Sequence, residues 1–280
     1  MEKPLKEKLD TLQNLIQNRG SLVVAYSGGV DSTLLLRVAH EILGNNVVAV
    51  IARSPLHPAR EYEEALRVAE EIGTECITIH AEEMAIPQFT QNPPNRCYYC
   101  KIALFTKILS LAREKGIDHV VDGTNLDDSE DYRPGIKALL ELGIRGPLKE
   151  AQMTKADIRL ISRELKLLTW DKPTQSCLAS RFPYGEEIIY SKLQKVEEAE
   201  SYLHKRGFRQ IRMRIHRDLV RIEVSPAEII RFMEDGFRGE ILNHLKEIGF
   251  TYITLDLEGY CPGSMNRTLI FQDGGTVIPK

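Results

Sequence analysis

The feature that most constrains the fold of this chain is a glycine turn between an apolar strand and an apolar helix. Residues 21–26 predict a buried strand, and residues 33–39 continue a helical pattern. Between them stands Ser27-Gly28-Gly29-Val30-Asp31-Ser32. A strand, a glycine turn and a helix N-terminus together point backbone N–H groups at an anion, and the serine hydroxyls add donors. The sequence therefore predicts a phosphate-binding loop.

Strands and helices alternate along the first half of the chain. Further apolar runs predict strands at residues 47–52, 75–79 and 119–122. This alternation predicts an α/β fold with a parallel sheet wound on both faces, in which ligands bind beyond the carboxyl ends of the strands. Residues 81–95 are expected to form a polar loop, and a smaller α+β unit is expected to follow. We predict two domains, 1–180 and 181–280.

Composition and charge narrow the class of protein. The chain has 280 residues with 42% hydrophobic and 28% charged, which is typical of a globular protein, and no segment is apolar enough to cross a membrane. The first residues, Met1-Glu2-Lys3-Pro4-Leu5, do not resemble a signal peptide, so we expect a cytoplasmic location. The net charge of −3 disfavours a nucleic-acid partner. A small-molecule substrate is therefore expected.

Three of the five cysteines lie where chemistry is expected. Cys97 and Cys100 begin a predicted helix, whose dipole favours thiolates. Cys177 lies in a loop rich in Ser, Arg and Pro, which is typical of ligand-contacting loops. Three thiolates suit a four-iron four-sulfur cluster with one iron open, whereas zinc needs a fourth ligand. Without a metal, Cys177 is a candidate nucleophile or sulfur carrier. Cys76 is expected in the core, and Cys261 has no assigned role.

Two further segments carry candidate binding groups. Arg212, Arg214 and His216 alternate with apolar residues and therefore share one face of a predicted strand. Such a face suits either a bidentate grip on phosphate or carboxylate, or simple exposure to solvent. Residues 122–128 (Asp-Gly-Thr-Asn-Leu-Asp-Asp) follow the fourth predicted strand. We expect this loop to contact the nucleotide, with its later aspartates near magnesium or solvent.

The glycine turn resembles the SGGxDS signature of the PP-loop ATP pyrophosphatases (adenine nucleotide alpha hydrolase-like) and differs from the Walker pattern. That family cleaves ATP between its α and β phosphates, releases pyrophosphate and leaves AMP on an oxygen of the substrate. The resemblance implies ATP and Mg²⁺ as cofactors, with Asp31 as the magnesium ligand. The implied ATP-binding residues are Ser27, Gly28, Gly29, Val30, Asp31, Ser32, Arg53, Gly123, Thr124 and Asn125.

Four motifs in order extend the resemblance over most of the chain. SGGVDS, DGTNLDDSEDYRPG, SRFPYG and RMRIH together resemble the LarE family, the ATP-dependent sulfur transferases of nickel-pincer nucleotide biosynthesis, which serves lactate racemase. The resemblance implies adenylation of the carboxylates of a pyridinium bis-carboxylic acid mononucleotide, after which sulfur replaces AMP. It also implies a homo-oligomer. The implied catalytic residues are Cys177, Asp31, Ser180, Arg181, Arg212 and Arg214, and Glu200 is implied as a metal-associated residue.

The source of the sulfur divides the family. In one type a single cysteine in the SRFPYG loop gives up its own sulfur and becomes dehydroalanine, and Cys177 occupies that loop here. The additional Cys97 and Cys100 make this chain similar to the three-cysteine type, in which an iron-sulfur cluster carries the sulfide. A PP-loop tRNA thiolase with a cluster is the alternative function, although such an enzyme needs basic patches and stacking aromatics.

Overall fold

The computed structural model describes residues 3–129, 134–174, 176–271 and 277–279. Within them the chain forms two compact units. The first consists of Met1–Glu83 and Cys97–Gln175, and the second of Met84–Arg96 and Ser176–Lys280. Glu130, Asp131, Tyr132 and Arg133, which belong to the second of the four motifs, lie outside the described residues. The two domains expected on either side of residue 180 stay a prediction.

The elements follow one another along the chain with short connections. The helices are α1 (Lys3–Gln17), α2 (Val30–Leu43), α3 (Ala59–Ile72), α4 (Pro87–Thr90), α5 (Arg96–Glu114), α6 (Pro134–Glu141), α7 (Pro147–Glu150), α8 (Lys155–Glu164), α9 (Tyr190–Lys205) and α10 (Asp235–Glu247). The strands are β1 (Leu22–Tyr26), β2 (Val47–Arg53), β3 (Glu75–His80), β4 (Val120–Val121), β5 (Ile211–His216), β6 (Leu219–Val224), β7 (Tyr252–Leu255), β8 (Leu269–Phe271) and β9 (Val277–Pro279). Short 3₁₀ helices include Glu83–Ala85, Leu178–Arg181 and Pro226–Met233.

The first unit contains a parallel sheet in the order β3-β2-β1-β4. Successive strand residues point to opposite faces, so β1 contributes Leu22 and Val24 to one apolar cluster and Val23 to another. The first cluster packs against α1, α2, α3 and α8, and the second packs against α5 and α6. Helices therefore cover both faces of the sheet, which confirms the predicted α/β class.

The second unit contains a small mixed sheet in the order β5-β6-β7. Strands β5 and β6 pair in antiparallel register, with Arg212 opposite Glu223 and Arg214 opposite Arg221, whereas β6 and β7 are parallel. Helix α9 packs its buried residues against this unit, and β8 pairs with β9 in a separate two-stranded sheet. A smaller α+β unit in the second half of the chain was expected and is present.

The segment Met84–Arg96 departs from the expected polar loop, because it includes helix α4 and packs with the second unit. Two backbone hydrogen bonds fix it: Gly185 N–H donates to the Asn92 carbonyl at 2.9 Å, and Ile188 N–H donates to the Thr90 carbonyl at 2.8 Å. Buried Asn92 also donates through Nδ2 to the Pro183 carbonyl at 2.7 Å. Long-range pairing of this kind leaves no mark on local composition. None of the helices described is long and apolar enough to cross a membrane.

Candidate active site

The glycine turn forms a closed loop between β1 and α2. Gly28 has φ +70°, and a Cβ added there would lie 2.4 Å from the Cβ of Ala65, so only glycine fits without a shift. The Ser32 hydroxyl is buried, accepts the Ser27 N–H at 3.2 Å and lies 3.0 Å from the Ser27 hydroxyl. The loop is thus held by its own serines, and α2 begins at Val30 with its N-terminus at the sheet edge.

The loop after β4 lies against this turn. A Cβ added to Gly123 would lie 2.9 Å from the Ser32 backbone nitrogen, so this glycine permits the close approach of the two loops. Asp122 is buried and accepts the Thr124 backbone N–H at 3.1 Å and the Thr124 hydroxyl at 2.9 Å. The predicted nucleotide loop after the fourth strand is therefore next to the predicted phosphate loop.

Asp31 connects three elements of the first unit. Its carboxylate accepts a hydrogen bond from Nδ2 of buried Asn125 at 3.4 Å and forms an ion pair with the Lys155 ammonium. The backbone N–H of Lys155, at the start of α8, donates to Asp127 at 2.8 Å. Sequence reasoning identified the capping pair of Thr154 with Asp157 that starts α8 but missed the lysine beside it. A lone lysine 124 residues from Asp31 gives no sequence signal of this pairing.

A second lysine, also missed from sequence, faces the glycine turn. Lys172 donates to the Gly28 carbonyl at 3.2 Å and lies 3.4 Å from a Glu64 carboxylate oxygen. Arg53 ends β2 at the same edge of the sheet, where its exposed guanidinium lies 5.7 Å from the ring centroid of Tyr62. Two cations and several backbone N–H groups thus border the glycine turn. The assignment of the individual residues to ATP stays a prediction.

Cys97 and Cys100 occupy the first turn of α5 in the first unit, as predicted. Cys97 is exposed, and Cys100 is half-buried with its Sγ 4.0 Å from Oε1 of Glu83. Glu83 is almost fully buried and accepts the Ser54 hydroxyl at 3.0 Å. Burial raises the pKa of the Glu83 carboxyl above its ordinary value. A buried acid beside the cysteine pair was not foreseen, because Glu83 lay in the expected polar loop.

Cys76 lies in β3, where it packs against the apolar core as expected. Burial raises the pKa of its thiol to about 11. Cys261 is half-buried, and its Sγ accepts a hydrogen bond from Nη2 of Arg267 at 3.5 Å. Within the described ranges, no group of three or more His, Cys, Asp or Glu side chains is assembled to hold a metal ion. By donor chemistry, the exposed thiols of the α5 pair still fit an iron-sulfur cluster.

Arg181 organises the loop that carries Cys177 in the second unit. Its guanidinium is 2% exposed, and Nη1 donates to the Ser176 carbonyl at 2.9 Å, to the Ser180 hydroxyl at 2.9 Å and to the Cys177 carbonyl at 3.3 Å. Nε and Nη2 donate to the two carboxylate oxygens of Glu200 at 2.8 and 2.7 Å. One bidentate ion pair therefore anchors the loop to helix α9.

Glu200 is held by more than Arg181. Its Oε1 also accepts the Met213 backbone N–H from β5 at 2.9 Å. Burial alone would raise the pKa of the Glu200 carboxyl, but the charge and hydrogen bonds of Arg181 outweigh burial and lower that pKa. The described structure thus places Glu200 as the partner of Arg181, and its association with a metal stays a prediction.

The arginine face of β5 is buried, so its interpretation as a solvated surface is wrong. Arg214 donates through Nε and Nη2 to fully buried Glu223 at 3.1 and 2.9 Å, and through Nη1 to the Ser180 carbonyl at 2.8 Å. The Arg212 guanidinium lies 5.0 Å from the ring centroid of Tyr260, and burial together with neighbouring Arg181 lowers its pKa. The hairpin that brings glutamates to these arginines was not visible in the alternation pattern.

A cavity of about 300 Å³ opens beside this face within the second unit. His216 and Arg221 line it, together with Pro183 from the SRFPYG loop. Burial and the charge of Arg221 lower the pKa of His216, which favours the neutral imidazole at pH 7. Of the side chains predicted for the substrate, Ser180, Arg181, Arg212 and Arg214 are thus all in the second unit, close to the Cys177 loop. Their roles in catalysis stay predictions.

Comparison with known proteins places this chain in a family. The NAD synthase family profile matches residues 5–96, which include the glycine turn. The chain is 47% identical to an uncharacterized protein of Synechocystis sp., covering 95% of this chain and 99% of that protein. It is 38% identical to the pyridinium-3,5-bisthiocarboxylic acid mononucleotide synthase of Lactiplantibacillus plantarum, covering 95% of this chain and 96% of the synthase. The chain belongs to the LarE family. It is also 32% identical to an uncharacterized protein of Methanocaldococcus jannaschii, covering 91% and 97% of the two chains.

Membership of the LarE family settles the broad class of activity. The glycine turn is a PP-loop, and this LarE protein is an ATP-dependent enzyme. The similarity extends over nearly the whole of the synthase, so it includes the second unit with its Cys177 loop as well as the PP-loop unit.

Proposed function

We propose that this protein is the ATP-dependent sulfur transferase that converts a pyridinium-3,5-biscarboxylic acid mononucleotide into the bisthiocarboxylic acid. The observation that carries the proposal is the 38% identity, over nearly the full length of both chains, to a synthase named for that product. The arrangement of each unit supports it: one has a PP-loop, and the other has a cysteine loop bordered by buried arginines. The proposal includes a role in making the nickel-pincer cofactor of lactate racemase.

The first step needs activation of a carboxylate, because a carboxylate is a poor electrophile and oxide is a poor leaving group. A carboxylate oxygen of the substrate attacks the α-phosphorus of ATP, pyrophosphate leaves, and an acyl adenylate remains. The backbone N–H groups of the PP-loop and the start of α2 bind the phosphates. Lys155 and Lys172 add positive charge that stabilises the developing pyrophosphate.

Magnesium fits the carboxylate of Asp31, since hard oxygen ligands are those that Mg²⁺ prefers. Asp31 is half-buried at the start of α2, and Asn125 and Lys155 fix its orientation. The ion would screen the phosphate charge when ATP is bound. In the absence of nucleotide, the Lys155 ammonium is the cation that neutralises Asp31.

In the second step a sulfur nucleophile attacks the acyl carbon and AMP leaves. Cys97, Cys100 and Cys177 would hold a four-iron four-sulfur cluster, which when bound supplies sulfide as the nucleophile. Without a cluster, the Cys177 thiolate attacks the acyl carbon itself to give a thioester. Elimination across its Cα–Cβ bond then leaves dehydroalanine on the protein and the thiocarboxylate on the substrate. Arg181 and Arg214 hold the loop that presents Cys177 in either route.

An anaerobic assay with the biscarboxylic mononucleotide tests the proposal. We expect substrate-dependent release of pyrophosphate and AMP, and a product mass that reports exchange of oxygen for sulfur. Iron and sulfide analysis of the wild type and of Cys97→Ala, with Cys261→Ala as the control, separates the donors. About four irons per chain that are lost only in Cys97→Ala support the cluster route. Iron-free protein that loses hydrogen sulfide from Cys177 during turnover supports the sacrificial route.

Absence of substrate-dependent AMP formation in active, folded protein would overturn the proposed function. The assay also addresses the tRNA thiolase alternative, since adenylation that requires tRNA would identify a different acceptor. The implied homo-oligomer and cytoplasmic location stay predictions.

A further inference from the structure

Arg96 is a buried cation without a counter-ion in the described parts of the chain. It is 5% exposed, and neither its Nε nor its Nη1 has a hydrogen-bond partner. No described carboxylate forms an ion pair with it. The aromatic ring of Tyr184 is its one assigned neighbour, with the guanidinium carbon 4.6 Å from the ring centroid. The other deeply buried arginines differ, since Arg181 and Arg214 each face a glutamate.

The surroundings of Arg96 are fixed within the second unit. Asn92, four residues earlier, is fully buried and binds the carbonyls of Phe182 and Pro183 through Nδ2. Tyr184 follows directly, and its hydroxyl donates to Oδ1 of Asn266 at 3.1 Å. The ring under the guanidinium is therefore held in place at both ends. Arg96 and Tyr184 form a prearranged pair.

A buried guanidinium with unmet donors calls for an anion. Removing a charge from water is unfavourable unless it is paired and hydrogen-bonded, and buried polar groups in native proteins nearly always have partners. The ring face offsets only part of the desolvation, because it accepts no hydrogen bond in the guanidinium plane. The planar donors match the two oxygens of a carboxylate or phosphate.

We propose that Arg96, stacked on Tyr184, is an anion subsite that binds a carboxylate or phosphate group of the pyridinium mononucleotide. The proposal rests on the proposed function for the identity of the substrate, but the need for an oxyanion follows from the burial of Arg96 alone. Tyr184 belongs to the same SRFPYG loop as Arg181. The subsite is therefore on the chain segment that also positions Cys177.

Thermal unfolding and calorimetric titration of the wild type, Arg96→Met, Arg96→Lys and Arg113→Met test this proposal. Arg113 is an exposed arginine in the last turn of the same helix and serves as the matched control. The probes are inorganic phosphate, acetate, nicotinic acid mononucleotide and nicotinamide mononucleotide. The last two differ only in replacement of the carboxylate by an amide, so their ranking tells which oxyanion Arg96 binds.

We expect Arg96→Met to unfold, without ligand, at the same temperature as the wild type or higher, because it removes an uncompensated buried charge. Bound oxyanion should raise the midpoint of the wild type and of Arg113→Met but not that of Arg96→Met. Nicotinic acid mononucleotide should bind Arg96→Met about 10- to 100-fold more weakly, as expected for loss of a charged hydrogen bond. Arg96→Lys should lie between them.

Two results would overturn the assignment of Arg96. One is unchanged binding of all probes to Arg96→Met, and the other is a markedly lower unfolding temperature of Arg96→Met in the absence of ligand, which would reveal a structural partner. Loss of phosphate binding in Arg96→Met, in a protein that binds neither mononucleotide, would instead overturn the proposed substrate. It would leave an anion subsite with a different ligand.

Discussion

Arg181→Met isolates the ion pair that anchors the Cys177 loop. The Arg181 side chain is 2% exposed and that of Glu200 is 5% exposed, and two hydrogen bonds of 2.8 and 2.7 Å join them. Methionine keeps much of the apolar stem but leaves the Glu200 carboxylate buried without its main partner. Breaking a buried pair in this way typically destabilises a protein by about 3–5 kcal/mol. The variant should therefore fold but unfold at a much lower denaturant concentration.

A double variant separates the charge effect from the loss of packing. Arg181→Met/Glu200→Leu removes both charges and replaces them by apolar groups, a change that is often neutral or stabilising for buried pairs. The Met213 backbone N–H loses its acceptor in this variant, which costs about 1–3 kcal/mol. We therefore expect the double variant to regain part of the stability that the single variant loses.

The pH dependence gives an independent check on the same pair. The pKa of Glu200 is lowered in the folded wild type, so its contribution to stability is present above the unfolded pKa of about 4.3 and is lost as pH falls through the folded pKa. In Arg181→Met burial is no longer offset, and the pKa of Glu200 should rise above its ordinary value. Protonation then relieves the variant on acidification while the wild type loses its pair. The difference in unfolding free energy should shrink as pH falls from 7 toward 4.

Urea unfolding followed by circular dichroism at pH 7 and pH 4.5 measures both effects. Arg267→Met is the control, because its pair with Glu258 is solvent-exposed and should contribute little. A loss below about 1 kcal/mol in Arg181→Met at pH 7, or a loss that is equal at both pH values, would refute the reasoning. Either result would mean that the loop relaxes enough to hydrate Glu200.

Three further predictions concern the first unit. Gly28→Ala should destabilise by about 2–5 kcal/mol, from the positive φ and a clash at 2.4 Å, whereas Gly20→Ala, with a similar φ and open space, should cost about 1–2 kcal/mol in urea unfolding; equal losses would contradict the steric argument. Lys155→Met should lower ATP-dependent pyrophosphate release on the order of 10²-fold, measured by a coupled phosphate assay, and an unchanged rate would exclude Lys155 from the phosphate site with Asp31. Alkylation of Cys76, followed by peptide mass spectrometry, should accelerate with pH up to about 11, and a plateau by pH 9 would contradict its raised pKa.

Local patterns were sufficient to predict the first unit. The run Val47–Arg53 is apolar on both faces, as a buried parallel strand requires, and Gly28 with Gly29 marks the turn that follows β1. Helix α8 begins where the capping pair of Thr154 and Asp157 indicated. These features are encoded within a few residues of where they act, so sequence periodicity and turn chemistry recover them.

The site contains partners that no local pattern encodes. Lys155 reaches Asp31 across 124 residues, and the alternation of β5 does not reveal that Arg214 pairs with Glu223 on the neighbouring strand. The same alternation describes both a solvated face and a buried one, since it specifies only which side chains share a side. Charge pairing depends on strand register and tertiary packing, which the sequence of a single strand does not determine.

Buried ion pairs contribute little to stability compared with apolar packing, so their presence around the Cys177 loop needs another explanation. Arg181 binds the Ser176 carbonyl at one end of the loop, and Arg214 binds the Ser180 carbonyl at the other. Each arginine is in turn fixed by a buried glutamate. We infer that the two pairs are retained because their donors hold the backbone that presents the cysteine.

That inference makes a distinct prediction for the apolar double variant. Arg181→Met/Glu200→Leu should unfold with more nearly wild-type stability than Arg181→Met but should remain deficient in sulfur transfer, because methionine cannot bind the Ser176 and Cys177 carbonyls. Pyrophosphate release, which depends on the PP-loop unit, should fall less than formation of the thiocarboxylate. Recovery of sulfur transfer in parallel with stability would show that the ion pair serves the fold alone. A stable variant that adenylates but does not transfer sulfur would assign the pair to presentation of Cys177.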